Sequence, residues 1–459
     1  MRKYSLLLAA FLTWVGAWAQ TKSLHQLQQD FIDLRFGMFI HFNMPTYANA
    51  DWPDPNASPA LFNPVKLDCN QWADAAKSAG MTYGCLTTKH HSGFCIWNTQ
   101  TTDYSVMSSP FKRDVVKEYA DAFRAKGLKV MLYYSILDTH HYLRKGWITR
   151  EHVEMVKNQL RELLTNYGEI SAIIIDGWDA PWSRLSYDEI PFEEIYRLIK
   201  SIQPNCLVMD LNAAKYPTEA LFYTDIKSYE QGAGQHISKE RNALPALSCL
   251  PINSSWFWKE DFPTTPVKDV QKLIDDNIAP MGDAYCNFIL NVAPNRDGLI
   301  DQNAIDALAE IGRKWTNNHR AATLSPTDVP IISSNLAKGK RADSSWSWDF
   351  AISDFATDDD FTTGWTSNPA VEQPHLTVYL EKEQRINMVV VTEKDTEAVS
   401  RYRFEYRING TWQPLFEGNN PTRVKIHRFS PVYADAVRMT VLERKGNFSI
   451  AELGVFNER

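Results

Sequence analysis

The sequence predicts an α/β fold, a (β/α)8-like barrel, followed by a separate all-β sandwich. Three observations lead there. Between residues 24 and 320, eight short apolar runs alternate with longer amphipathic ones. One of those runs, Ile173-Ile174-Ile175, is followed at once by Asp176-Gly177-Trp178. Three β-branched residues in a row read as a strand buried on both faces. A carboxylate at its tip sits where strand becomes loop, which in a parallel barrel is the catalytic edge. Beyond the mid-330s the helical periodicity disappears and alternating, β-rich segments take over.

The predicted barrel strands are Phe36–Phe42, Thr82–Thr88, Lys129–Ser135, Ala172–Gly177, Cys206–Asn212, Phe222–Tyr229, Leu247–Asn253 and Ala284–Val292. Helical patterns separate the early ones, over Asn70–Ser78, Val115–Ala125, Glu151–Tyr167 and Phe192–Ile202. Each ends on a turn signal, such as Lys126-Gly127 or Gln203-Pro204. Little helix is visible between strands five, six and seven, so the later units read as irregular. In the second domain the predicted strands are Leu376–Leu380, Met388–Thr392, Tyr402–Ile408 and Ala436–Leu442, with an Asn409-Gly410 turn. The expected boundaries are a leader over 1–19, the barrel over 20–325, a linker over 326–334 carrying Pro326 and Pro330, and the sandwich over 335–459.

The leader expectation rests on Arg2 and Lys3, the apolar stretch Leu6 to Val15, and the small-x-small site Ala17-Trp18-Ala19. It implies export, to the periplasm or beyond. No later stretch is apolar enough to span a membrane. The net charge of −7 disfavours nucleic acid and anionic membrane as partners. Aromatic residues make up 12% of the chain, a surplus that suits stacking on sugar rings and equally suits a large core. The six cysteines match no zinc spacing, and a chain of this size does not need disulfides.

Polar or aromatic groups stand at all eight predicted strand ends, among them His41, Asn43, His90, His91, Tyr133, Tyr134, Asp138, Asp176, Asp210, Asn212, Asp225, Lys227, Glu230 and Asn291. Together they indicate a polar pocket with stacking walls. Asp176 and Glu230, on separate strands, can serve as nucleophile and general acid/base of a glycosidase. The segment His41-Phe42-Asn43 breaks the H-x-H pattern of metal-dependent barrel hydrolases. Adjacent residues of a strand point to opposite faces, so His90 and His91 do not suit one metal if the strand continues through them. Hydroxyl binding by neutral histidines is the favoured role, with no metal and no cofactor at the site.

These motifs together resemble the retaining α-L-fucosidases of glycoside hydrolase family 29, over about residues 25–320. The resemblance is carried by Arg35-Phe36-Gly37-Met38-Phe39-Ile40-His41-Phe42, by the block from Thr88 to Trp97, by Asp114-Val115-Val116, Tyr133-Tyr134-Ser135 and Ile175-Asp176-Gly177, and by the block from Asn287 to Gly298. It implies an exo-acting enzyme that removes terminal α-linked fucose from glycans through a covalent intermediate on Asp176. It implies that His41, His90 and His91 hold fucose hydroxyls, that Tyr134 stands beside the nucleophile, that Asp51-Trp52 supplies an acidic-aromatic pair, and that Trp256 or Trp258 covers the sugar's methyl face. Ile174 replaces the Trp that the family often carries two residues before the nucleophile. For the acid/base, Glu230 is favoured, Glu260 is the reserve and Glu219 ranks third. The alternative is a fucoside- or galactoside-binding protein on the same fold without catalysis.

The C-terminal region resembles the discoidin-type, galactose-binding-like domains, through Asn335-Leu336-Ala337, Ala356-Thr357-Asp358-Asp359-Asp360 with Trp365, Val437-Arg438-Met439 and Ile450-Ala451-Glu452-Leu453. The resemblance implies glycan binding or a brace for the barrel. The acidic run Asp358–Asp360 offers carboxylates to a structural Ca2+ and reads equally well as a solvated turn.

Overall fold

The computed structural model describes residues 21–457, except 179, 181, 184, 186, 188, 212–223, 232–244, 319–322, 325–332, 334, 359, 361–362, 395 and 420–423. The proposed leader, Asn212, Glu219 and most of the linker lie outside the described residues.

Eight parallel strands form the first unit: β1 (Phe36–Ile40), β2 (Tyr83–Lys89), β3 (Lys129–Ser135), β4 (Ala172–Asp176), β5 (Leu207–Asp210), β6 (Lys227–Glu230), β7 (Ala246–Pro251) and β8 (Cys286–Asn291). They run in the order β5-β4-β3-β2-β1-β8-β7-β6, a nearly closed barrel. Its inner and outer faces follow the two-residue period of a strand. Along β4, Ala172 and Ile174 pack in the barrel interior, while Ile173 and Ile175 join the layer between strands and helices. Asp176 continues the inner row. The glycine after it is obligatory: Gly177 has φ +110, and a Cβ there would lie 3.0 Å from the Leu137 nitrogen.

The bottom of the barrel is closed by the helix Leu24–Leu34, which buries Leu27, Phe31 and Ile32. Tyr83 donates to Asn287 (2.7 Å), and Asn287 in turn donates to the Phe31 carbonyl (2.7 Å). The remaining seam, between β5 and β6, is closed by Asp225. Its backbone N–H donates to the Val208 carbonyl (2.8 Å), and its carboxylate accepts from the Val208 N–H (2.9 Å), from Tyr196 (2.8 Å) and from Lys200 (2.7 Å). Asp225 therefore holds the barrel's wall; it is not a strand-end candidate for chemistry. Strand six begins later than expected, at Lys227, which places Asp225 on the approach to it.

The helices Cys69–Ser78, Val115–Ala125, Arg150–Thr165 and Phe192–Ile202 cover the outside. Asp68, Asp114 and Thr149 accept hydrogen bonds from first-turn N–H groups of the first three, which fixes where those helices start.

The second unit is all antiparallel: β9 (Ala342–Ser344), β10 (Trp365–Thr366), β11 (His375–Glu393), β12 (Val399–Ile408), β13 (Thr411–Asn419), β14 (Val424–Arg444) and β15 (Ser449–Phe456). The order is β10-β15-β11-β14-β12-β13, with β9 on β11. The two segments expected at Leu376–Leu380 and Met388–Thr392 are parts of one strand, β11. Register shifts against β14 near Tyr379/Gln384 and Ile386/Met388 interrupt the alternation that a sequence pattern reads. A core around Trp365, Val389, Tyr402, Met439 and Leu453 is fully or almost fully buried. Within it, Lys425 and Glu393 form a wholly buried pair at 2.6 Å, and Glu393 also accepts from the backbone N–H groups of Ala398 and Val399. In the acidic run, Asp358 accepts from Thr363 (2.8 Å) and from the Asp360 N–H (2.9 Å), and Asp359 lies outside the described residues. Among the described residues, no cluster of His, Cys, Asp or Glu has metal-binding geometry, and no helix is long and apolar enough to cross a membrane. All six cysteines are free and buried.

Candidate active site

The strand tips at the C-terminal end of the barrel surround a cavity of about 160 Å3. Pockets for drug-sized ligands run to roughly 300–1,000 Å3, so this one suits a single sugar ring. Asp176 and Glu230 both line it, as do His41, His90, His91, Asp51, Trp52 and Trp256.

His90 and His91 lie past the end of β2, in a turn tied by the Gly93 N–H to the His90 carbonyl (2.9 Å). The strand rule that would send them to opposite faces therefore does not reach them. Their rings lie 3.9 Å apart, both against the cavity. Behind the turn, a register shift against β3 between Thr87 and Lys89 turns Lys89 into the outer layer, although Tyr83 and Cys85 on the same strand face the interior. It is wholly buried, 3.0 Å from the Tyr134 hydroxyl and 3.3 Å from the Asp138 carboxylate. Asp138 also accepts from the N–H and Nδ1 of His141. Burial acts against its charge, but Lys89 and His141 outweigh that and hold its pKa below the carboxylate range. This network fastens the histidine turn from below.

Tyr134 belongs to that outer layer. Its hydroxyl donates to Gln159 of the flanking helix (2.6 Å), so it does not stand beside Asp176. The inner residue is its neighbour Tyr133, which donates to Asp176 Oδ2 at 2.6 Å. One step along a strand reverses the face, and β3 presents its odd-numbered residues to the interior. Trp258 also leaves the predicted site. Its indole donates to Asp301 (2.7 Å) and its ring packs on Phe262 and Ala293. Phe257 takes the place in the wall, edge-on to His90 at 4.8 Å and to His41 at 5.1 Å.

Each histidine has a defined setting. His41 Nδ1 meets Asn291 Oδ1 at 2.7 Å. His91 Nδ1 meets Ser135 Oγ at 2.7 Å, and its Nε2 lies 3.7 Å from Asp176 Oδ2. Among the described residues, His90 Nδ1 is buried with no partner, a polar atom that a ligand hydroxyl would satisfy. Burial lowers all three pKa values, to about 3 for His41 and about 4 for His91, with Asp176 opposing the shift of His91. The three rings are neutral at physiological pH.

Glu230 accepts from the Trp256 indole at 2.9 Å. Burial first, and the Asp176 charge second, push its pKa up to about 7, against the Trp256 hydrogen bond. Glu260 is exposed, paired with Arg296 at 2.8 Å and absent from the cavity wall. Asp51 accepts from Ser255 and Lys259, and Trp52 stacks on His91 at 4.9 Å. Trp182, from the loop after β4, completes the mouth, 4.3 Å from the His91 ring and edge-on to Trp52 at 5.5 Å. No sequence pattern marks Trp182, whereas Tyr133 and Phe257 were each one residue from a predicted contact.

The geometry is that of a one-sugar pocket with the carboxylates of Asp51, Asp176 and Glu230 in its wall, and the comparisons agree with it. The family model for alpha-L-fucosidases matches residues 13–320. The chain belongs to the alpha-L-fucosidase family. The alpha-L-fucosidase 1 of Arabidopsis thaliana is 28% identical over 458 residues, covering 92% of this chain and 85% of its own. The tissue alpha-L-fucosidase of Homo sapiens is 25% identical over 302 residues, 61% of this chain and 59% of its own. A solved glycoside hydrolase 29 family member from an unknown rumen bacterium superposes with a TM-score of 0.55 at 26% identity, covering 96% of this chain and 77% of that one. A Ruminococcus gnavus family 29 fucosidase, solved in complex with fucose, shares the fold at a TM-score of 0.50 and 21% identity, covering 95% and 94%. An F5/8 type C domain model, the discoidin type, matches residues 334–453. This family member is thus a glycoside hydrolase acting on fucosylated substrates, with a discoidin-type domain after its catalytic barrel.

Proposed function

We propose that the protein is an exported, retaining exo-α-L-fucosidase in which Asp176 is the nucleophile and Glu230 the acid/base. The observation that carries this reading is the pair itself: two carboxylates from β4 and β6 line one sugar-sized cavity, and one of them is pushed up to about 7. A general acid must hold its proton at the working pH and still release it. In the first step the Asp176 carboxylate attacks the anomeric carbon while Glu230 passes its proton to the departing glycosidic oxygen. The products are a glycosyl ester on Asp176 and a free aglycone alcohol. In the second step Glu230, now a carboxylate, takes a proton from water as that water attacks the same carbon, and Asp176 leaves. The neutral rings of His41, His90 and His91 accept hydrogen bonds from sugar hydroxyls, and Trp256 and Phe257 cover the apolar face. Export rests on the basic start, apolar stretch and small-x-small site of residues 1–19.

The test is fucose release from an aryl α-L-fucoside, an α-1,2-fucosylated disaccharide and a branched trisaccharide bearing α-1,3/4-linked fucose, with Asp176→Asn as control. Release that the control lacks is expected. Equal release by the control would remove Asp176 as nucleophile. Binding of fucosides without any release would favour a purely binding role.

A further inference from the structure

Asn291 ends β8 and lies almost wholly buried behind the cavity wall. Its carboxamide has two partners of opposite kind. Nδ2 lies 2.7 Å from the Trp256 carbonyl oxygen, which can only accept. The amide nitrogen must therefore face Trp256, and Oδ1 must face His41 Nδ1, at 2.7 Å. An amide oxygen only accepts, so His41 carries its proton on Nδ1 and presents Nε2 as a bare acceptor. The same residue anchors the backbone of Trp256, whose indole N–H donates to Glu230 Oε1 at 2.9 Å. A sugar-facing histidine and the hydrogen bond on the acid/base thus hang from one side chain.

We propose that Asn291 is a positioning residue: it sets the tautomer of His41 and ties it to the Trp256 segment that holds Glu230. The assignment builds on the proposed roles of His41 and Glu230, but its structural core can be measured without turnover. The task needs a donor and an acceptor on one side chain. A carboxylate offers no donor to the carbonyl of Trp256, and an apolar residue offers nothing to either partner. The charged or titratable groups around His41 are His90, His91, Asp51 and Tyr133, and substitution at residue 291 leaves them all in place.

The experiment is nitrogen-15 NMR of the His41 ring in the full-length protein, with His41→Gln to assign the signal. Wild-type protein should show the Nδ1–H tautomer. Asn291→Leu should release it into a mixture and cost roughly 10- to 100-fold in kcat/KM on an aryl fucoside, the range expected when a buried donor loses its partner. Asn291→Asp should keep the Nδ1–H tautomer and raise the ring's pKa by roughly one to three pH units through the added charge. An Nε2–H tautomer in the wild type overturns the proposal, as does an unchanged tautomer in Asn291→Leu. If Asn291→Leu fails to fold, the wild type and Asn291→Asp decide. A protein with the predicted tautomer and no fucosidase activity would refute the catalytic reading and leave this one standing.

Discussion

Glu230 should destabilise the folded enzyme in the pH range where its proton is lost. Its pKa rises from the usual 4.5 to about 7 on folding, chiefly through burial and then through Asp176. A carboxyl group raised in this way binds its proton more tightly in the folded state than in the unfolded one. Its stabilising contribution is therefore complete below the unfolded value, near 4.5, and is lost as pH climbs through the folded value, near 7. At about 1.4 kcal/mol per pH unit, the full loss is about 3 kcal/mol. Glu230→Gln keeps an acceptor for the Trp256 indole but cannot ionise. The variant and the wild type should be about equally stable at pH 4.5, and the variant should be about 3 kcal/mol more stable at pH 8.5.

Urea denaturation of both proteins at several pH values measures this directly. The pH dependence of kcat/KM gives an independent check on the same group. The wild type should lose activity above about pH 7, because the acid role proposed for Glu230 needs its protonated form. Glu230→Gln should be slow at every pH, and slowest on substrates with poor leaving groups. A stability gap that stays constant between pH 4.5 and 8.5 would refute the argument. It would mean that Glu230 ionises as an ordinary surface carboxylate and cannot be held ready as an acid.

Three further substitutions follow from named contacts. Tyr133→Phe deletes the 2.6 Å hydrogen bond to Asp176 and should lower kcat/KM roughly 10- to 100-fold without changing the far-ultraviolet circular dichroism; Tyr134→Phe, on the outer layer, should not reproduce a loss of that size. Asp138→Ala leaves Lys89 buried without its carboxylate and should cost about 3–5 kcal/mol in chemical denaturation. Gly177→Ala forces a side chain onto a backbone at φ +110 and against the Leu137 nitrogen, so it should cost about 1–3 kcal/mol and displace Asp176, with activity falling further than stability alone explains.

What the sequence discloses and what it conceals divide along one physical line. Periodicity reveals which residues form an element, and strand tips reveal where the polar groups gather. Asp176 was legible for that reason: a buried three-residue run can end in a carboxylate at only one edge of a parallel barrel. The two-residue period then decides the face, and there a single step matters. Tyr133 and Tyr134 are chemically the same, and only the inward row of β3 tells them apart. His90 and His91 show the converse error, since the period was extended one turn too far; the strand had already ended at Lys89. Asp225 illustrates a third kind of concealment. A buried carboxylate near a strand end reads as chemistry, yet here it replaces a missing rung between β5 and β6 by taking the Val208 N–H itself. Trp182 escaped because nothing local places it: it reaches His91 only through the path of a loop that carries no repeating pattern. The residues that a sequence reveals are thus those whose role is set by their own element. Asn291 is the opposite case, because its role comes from a donor on one side and an acceptor on the other, brought together from the segments that follow β1 and β7.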